Sequence, residues 1–159
     1  ALAVGQHFGV SLEEGVAAIE AYVPSNNRSQ MTKTERNTLI VDAYNANPTS
    51  MAAALENFSN VEADCKVALL GDMLELGEES QSEHLSVIES AVSRNFAKVC
   101  FVGKEFMKAS EQITTPESVL FFETSDVLAD WLRSNLLSGA TVLIKGSRGT
   151  RMEKTVPEL

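Results

Sequence analysis

A chain of 159 residues with 44% hydrophobic and 22% charged residues has the make-up of one folded domain, able to bury about 70% of its unfolded surface. Its formal charge of -9 argues against long-range attraction to nucleic acid or anionic lipid, so an anionic ligand must meet a local basic patch. No apolar run approaches the ~20 residues that span a bilayer, and no basic-apolar-small signal peptide opens the chain.

The first ten residues, "ALAVGQHFGV", read as the last turns of a helix that stops at Gly9. Opening inside a helix is expected of a piece of something larger. Ser11 and Glu14 fit a capping box for a short helix to about Ala21. "YVPSNNRSQ" follows, turn-rich and suited to a linker or hinge. From Gln30 the pattern becomes regular. "QMTKTERNTLIVDA" reads as a strand, a tight turn at Arg36-Asn37 and a second, buried strand. Asn47 then caps a helix with Pro48 in its first turn.

"CKVALLGD", "AKVCFVG", "SVLFFE" and "ATVLIKGS" are four further apolar strands. Between them, "SQSEHLSVIESAVSRN" places Leu85, Ile88 and Val92 on one helical face, and Lys104 to Glu111 reads as a short helix. "SDVLADWLRSNL" reads as a helix capped by Ser125, with Val127, Leu128, Trp131 and Leu132 on one side; "TRMEKTVPEL" reads as a closing helix. Short strands apolar on both faces, alternating with amphipathic helices, predict a doubly wound α/β domain with a mostly parallel sheet. Cys65 and Cys100 form no CxxC pair and read as small buried residues of a reduced compartment. His7 and His84 lack acid or thiol partners at ligand spacing, which reads against a zinc site.

In such folds ligands sit beyond the carboxyl ends of the strands. Those ends carry Asp42, Gly71-Asp72, Gly103, Glu123 and Lys145-Gly146-Ser147. Asp42 can accept two hydrogen bonds from neighbouring hydroxyls such as those of a ribose, and Asn45 offers both donor and acceptor. Helix entry explains Asn47-Pro48 equally well, so the loop stands between punctuation and binding site. Asp72 could orient an amine or a metal-bound water, while Glu75, Glu78 and Glu79 also suit the start of the next helix. The stretch Leu143 to Lys154 sets four cations (Lys145, Arg148, Arg151, Lys154) against Glu153, with Gly146 and Gly149 freeing backbone amides, a combination that suits a carboxylate or phosphate. No G-x-x-x-x-G-K-[ST] occurs, so no phosphate cradle of that type is present in these residues.

Taken together, "VDAYNANPTSM", "LLGDMLELGEES" and "VLIKGSRGTRME" resemble the Mur ligase family, in the family's order and over about Arg28 to the end. An amide where the related folate-polyglutamate ligases usually have histidine favours the cell-wall branch. The resemblance implies a Rossmann-like C-terminal domain over residues 31–159, a hinge over 24–30, and over 1–23 the helical tail of a preceding central ATPase domain. It implies an ATP- and Mg2+-dependent amide ligase of the cytoplasm, monomeric, joining D-alanyl-D-alanine to UDP-MurNAc-tripeptide through an acyl phosphate. The N-terminal and central domains of the same enzyme would hold the UDP end, the phosphates and the metal, leaving this stretch inactive alone.

By the same resemblance Arg28, Asp42 and Asn45 would contact the nucleotide, and Asp72, Lys145, Ser147 and Arg148 the peptide and dipeptide. A competing reading is a stand-alone nucleotide- or small-ligand-binding module of receiver type. The third strand's end, in "VCFVGKEF", offers no phosphoacceptor aspartate for it. A dinucleotide-dependent oxidoreductase would need a G-x-G-x-x-G after a strand, which is absent.

Overall fold

The structure is a computed structural model and describes residues 1–22 and 30–159. Two helices come first: α1 (Leu2–His7) and α2 (Leu12–Glu20). They form a hairpin with Gly9 at φ +85°, where a residue with a side chain would be strained. The Ser11–Glu14 capping box forms as predicted: Glu14 N donates to Ser11 Oγ at 3.2 Å and Ser11 N to Glu14 Oε2 at 3.0 Å. Neither helix buries a residue, and Phe8, Leu12, Ile19 and Tyr22 are exposed. The predicted hinge lies largely outside the described residues.

Among the described residues six strands make one sheet: β1 (Gln30–Lys33), β2 (Thr38–Asp42), β3 (Lys66–Gly71), β4 (Lys98–Val102), β5 (Val119–Phe122) and β6 (Thr141–Lys145). Their order is β1-β2-β6-β3-β4-β5, parallel except for β1, which turns back antiparallel on β2. The doubly wound α/β class is therefore as predicted. Strands β2 to β6 have the alternating or continuous apolar runs that a sheet covered on both faces requires, whereas the edge strand β1 is mostly polar and is exposed at Met31, Thr32 and Lys33.

Helices α3 (Pro48–Ser59), α4 (Ser80–Val92) and α5 (Lys104–Ser110) cover one face. Their core includes Met51, Leu55, Phe58, Ile88, Phe101 and Phe106, all essentially sealed from solvent. Each such side chain contributes about 1.5–3 kcal/mol relative to exposure. On the other face lie α6 (Ser125–Ser134) and the C-terminal turns, which enclose Leu69, Cys100, Leu128, Leu132, Ile144 and Met152.

Three local readings need correction. Ser125 does not cap α6. The cap is Thr124, whose Oγ1 accepts from Val127 N, while Ser125 is buried in the first turn and Val127 points outward, half exposed. On α4 the sealed positions are His84, Val87, Ile88 and Ala91, with Leu85 and Val92 only partly buried, so the buried stripe is rotated from the predicted one. The closing segment is not an α-helix. It forms two 3-10 stretches, Arg148–Thr150 and Met152–Glu158, broken at Arg151 in a left-handed conformation (φ +52°) and carrying Pro157. A 3-10 path tolerates that short, glycine- and proline-interrupted sequence where an α-helix would lose its ladder.

Candidate functional site

The sheet order decides which strand ends meet. Because β6 returns between β2 and β3, Asp42 stands in register with Lys145, and Lys145 with Leu70 on its other side. After β3 the chain turns onto the α4 face; after β6 it turns onto the opposite face. Such a divergence opens a crevice at the carboxyl ends of doubly wound sheets.

Lys145 is 1% exposed. Its Nζ donates to Asp42 Oδ2 at 2.6 Å and to the Asn45 carbonyl at 3.2 Å. A buried cation must be paired, because an isolated one loses its hydration without recompense. Asp42, a quarter exposed at its side chain, supplies that pairing with one oxygen. Among the described residues no hydrogen bond reaches its Oδ1. Asn45 and Tyr44 stand exposed just beyond, and the Arg148 guanidinium lies over the Tyr44 ring, 5.9 Å from its centroid. An apolar slot of about 170 Å³, lined by Ile40, Ala54, Phe58 and Leu143, opens beside Asp42.

Ser147 ties two loops together. Its Oγ accepts from Leu74 N at 3.1 Å and donates to the Ala46 carbonyl at 3.4 Å, and its N–H donates to the Asp72 carbonyl at 3.2 Å. Gly146 makes this closure possible: a Cβ there would meet Thr150 Oγ1 at 2.7 Å and the Gly71 Cα at 3.1 Å.

Asp72, 5% exposed, has both carboxylate oxygens engaged at the start of α5. Oδ2 accepts from Glu105 N and Oδ1 from Phe106 N, each at 3.0 Å. Gly103, at φ +124°, is bare for this reason, since a Cβ would stand 2.2 Å from that carboxylate. Burial pushes the Asp72 carboxyl above its ordinary range, against the pull of the two amides. Glu105 moves the opposite way, held below the usual range by hydrogen bonds from Ser80 and Gln81.

Of the residues singled out in the sequence, Asp42, Asn45, Lys145 and Ser147 thus come together, with Arg148 against Tyr44. Asp72 joins them through its backbone rather than its carboxylate. Arg28 lies outside the described residues. A larger cleft of about 340 Å³ sits over the ends of β3 to β5, lined by Asp72, Gly103, Lys104, Glu123, Asp126 and Arg151 among others. Asp72, Glu123 and Arg151 are strand-end or basic-stretch residues that the sequence already singles out, whereas Lys104 and Asp126 read there only as parts of helix starts. His84 was also missed: distant from Asp72 along the chain, its Nε2 is 3.6 Å from Asp72 Oδ1 in space. No sequence spacing signals that contact. Among the described residues, no group of three His, Cys, Asp or Glu side chains could hold a metal ion.

The sheet is that of a Rossmann-like α/β domain, with a carboxylate–lysine pair at adjacent strand ends. The family model for the Mur ligase, glutamate ligase domain matches residues 27–148, and the chain belongs to the Mur ligase family. Within that family the likeness is to MurF proteins. The chain is 33% identical to the UDP-N-acetylmuramoyl-tripeptide–D-alanyl-D-alanine ligase of Treponema pallidum, over 99% of this chain and 35% of that protein. To the ligase of the same name from Bacillus subtilis it is 30% identical, over 100% of this chain and 36% of that one. A crystal structure of MurF from Acinetobacter baumannii superposes with a TM-score of 0.81 at 27% identity, covering 98% of this chain and 35% of the other. The chain therefore spans about a third of the length of the relatives it matches. No helix among the described residues is long and apolar enough to cross a membrane.

Proposed function

We propose that this chain is the C-terminal domain of a cytoplasmic, ATP-dependent amide ligase that joins D-alanyl-D-alanine to UDP-MurNAc-tripeptide. The observation that carries the reading is the Asp42–Lys145 pair at the open ends of adjacent strands, in a chain 33% identical to a ligase of that name. Lys145 fixes Asp42 through Oδ2, leaving Oδ1 for a ribose hydroxyl, while exposed Asn45 and Tyr44 lie where a base or sugar would be met. Ser147 and Arg148, on the adjoining loop, would meet the peptide and dipeptide. Asp72 would serve the same loop by holding its backbone. Arg28 is assigned to the ATP phosphates on the strength of the family resemblance.

The tripeptide carboxylate would be activated as an acyl phosphate and the dipeptide amine would displace phosphate. Mg2+ and the triphosphate are assigned to a central domain, residues 1–23 to its helical tail and residues 24–30 to a hinge. This chain contributes orientation and exclusion of water when the domains close.

The test is phosphate release by the longer protein in which this chain is joined to its N-terminal and central domains, supplied with ATP, Mg2+, UDP-MurNAc-tripeptide and D-alanyl-D-alanine. Release dependent on both peptide substrates, reduced roughly 100-fold or more by Asp42→Ala or Lys145→Ala, is expected from the loss of positioning. The 159-residue chain alone should release none. Unchanged release in both variants would sink the site assignment.

A further inference from the structure

The loop that follows β3 has each of its first three amides held by a different part of the fold. Asp72 N–H donates to the Val102 carbonyl on β4 at 2.9 Å, and Leu74 N–H to Ser147 Oγ on the loop after β6. Between them, Met73 N–H donates to His84 Nε2 on α4 at 3.1 Å. His84 is fully buried, and its ring meets Phe106 edge-on at 4.5 Å. Because Nε2 accepts, the ring proton is on Nδ1, where it reaches the Ser80 carbonyl at 2.6 Å. Ser80 is itself fixed to Glu105.

A core residue needed only for volume would be apolar. An imidazole with both nitrogens committed does something a leucine cannot: it supplies a buried acceptor to a backbone donor that has left the sheet. From Met73 the constraint passes along one residue to Leu74, across to Ser147, and on to Ala46, beside the Asp42–Lys145 pair. We propose that His84 is a positioning residue of the candidate site. Through the Met73 amide it fixes the post-β3 loop, and with it Ser147, in the geometry that receives substrate. The substrate part of this inference rests on the proposed ligase reading; the loop part does not.

Two measurements separate those parts. In the 15N-labelled chain, a nitrogen–nitrogen coupling across the hydrogen bond between the Met73 amide and His84 Nε2 is expected. Its absence overturns the inference without recourse to any variant. Amide exchange in His84→Leu should then quicken by roughly 10- to 100-fold at Met73 and Leu74, as follows from an unmade buried hydrogen bond. The strand amides of Val142 and Cys100 should keep their wild-type rates. His84→Gln, which retains an acceptor, should recover most of the protection. Equal exchange in wild type and His84→Leu would reduce His84 to a space-filler.

In the longer protein, His84→Leu should raise the KM for the incoming dipeptide about tenfold while kcat changes less, with His84→Gln between the two. An unchanged KM in an enzyme whose wild type ligates would break the link from loop to substrate. A wild type that does not ligate would remove the ligase reading and leave the exchange result standing.

Discussion

Asp42 and Asp72 close neighbouring parts of one sheet, each following an apolar strand, yet they have taken opposite employment. Asp42 pairs one oxygen with the ammonium of Lys145, and among the described residues no hydrogen bond reaches the other, at a partly open edge. Asp72 is sealed, with both oxygens on the first amides of α5 and its charge opposed by burial. Sequence treats the two alike, an acid after a buried strand. What separates them is the partner across the sheet: a lysine for Asp42, and for Asp72 the bare Gly103 that lets a helix start approach.

That contrast makes the first prediction the largest. Asp42→Ala leaves a fully buried ammonium with, among the described residues, only the Asn45 carbonyl, and should destabilise the fold by about 3 kcal/mol, at the lower end for breaking a buried ion pair because Asp42 is partly solvated. Lys145→Met removes the buried charge itself and leaves an acid that can reach water, so about 1 kcal/mol is expected. Urea melts of the two variants measure the asymmetry. Equal losses would mean that Lys145 is better hydrated than its 1% exposure implies.

The second prediction turns the comparison toward pH. Asp72→Asn keeps one acceptor for two amides, so about 2 kcal/mol should be lost. Because burial raises the Asp72 carboxyl in the folded chain, the folded state holds this proton more tightly than the unfolded one. Its titration therefore favours folding below the unfolded value of about 4 and loses that contribution as pH rises through the raised value. The stability advantage of wild type over Asp72→Asn should accordingly narrow from acid toward neutral pH. Paired melts across that range measure it, and a widening gap would show that the two amide donors outweigh burial.

Much of the architecture was legible because buried parallel strands are short apolar runs and their helices carry caps that sequence can display. Asn47-Pro48 is one such signal: Ser50 N donates to Asn47 Oδ1 at 2.8 Å as a capping box requires. Strand order was not legible. Nothing in "ATVLIKGS" says that this last strand inserts between β2 and β3, and that insertion alone turns Asp42 and Lys145, assigned by resemblance to separate ligands, into one ion pair. His84 failed for the same reason, since its partners Met73 and Asp72 are neighbours only through the packing of α4. The closing segment is helical as read, but its 3-10 form was not legible, because the sequence does not display the left-handed break at Arg151.

The smallest effect is also the sharpest check on local reading. Thr124 and Ser125 are adjacent hydroxyl residues at the start of α6, and either satisfies the sequence rule for a cap. Only Thr124 has the extended backbone of a capping residue, φ -141° and ψ 161°, with Oγ1 accepting from Val127 N at 3.3 Å. Ser125 already lies inside the helix and is buried. Thr124→Ala should therefore lower stability by about 1 kcal/mol, and Ser125→Ala by less, since alanine favours a helical position that serine tolerates. The reverse order in thermal melts would move the helix start by one residue. Thr124 would then leave the helix end, and the rim of the 340 Å³ cleft that it helps to line would change shape with it.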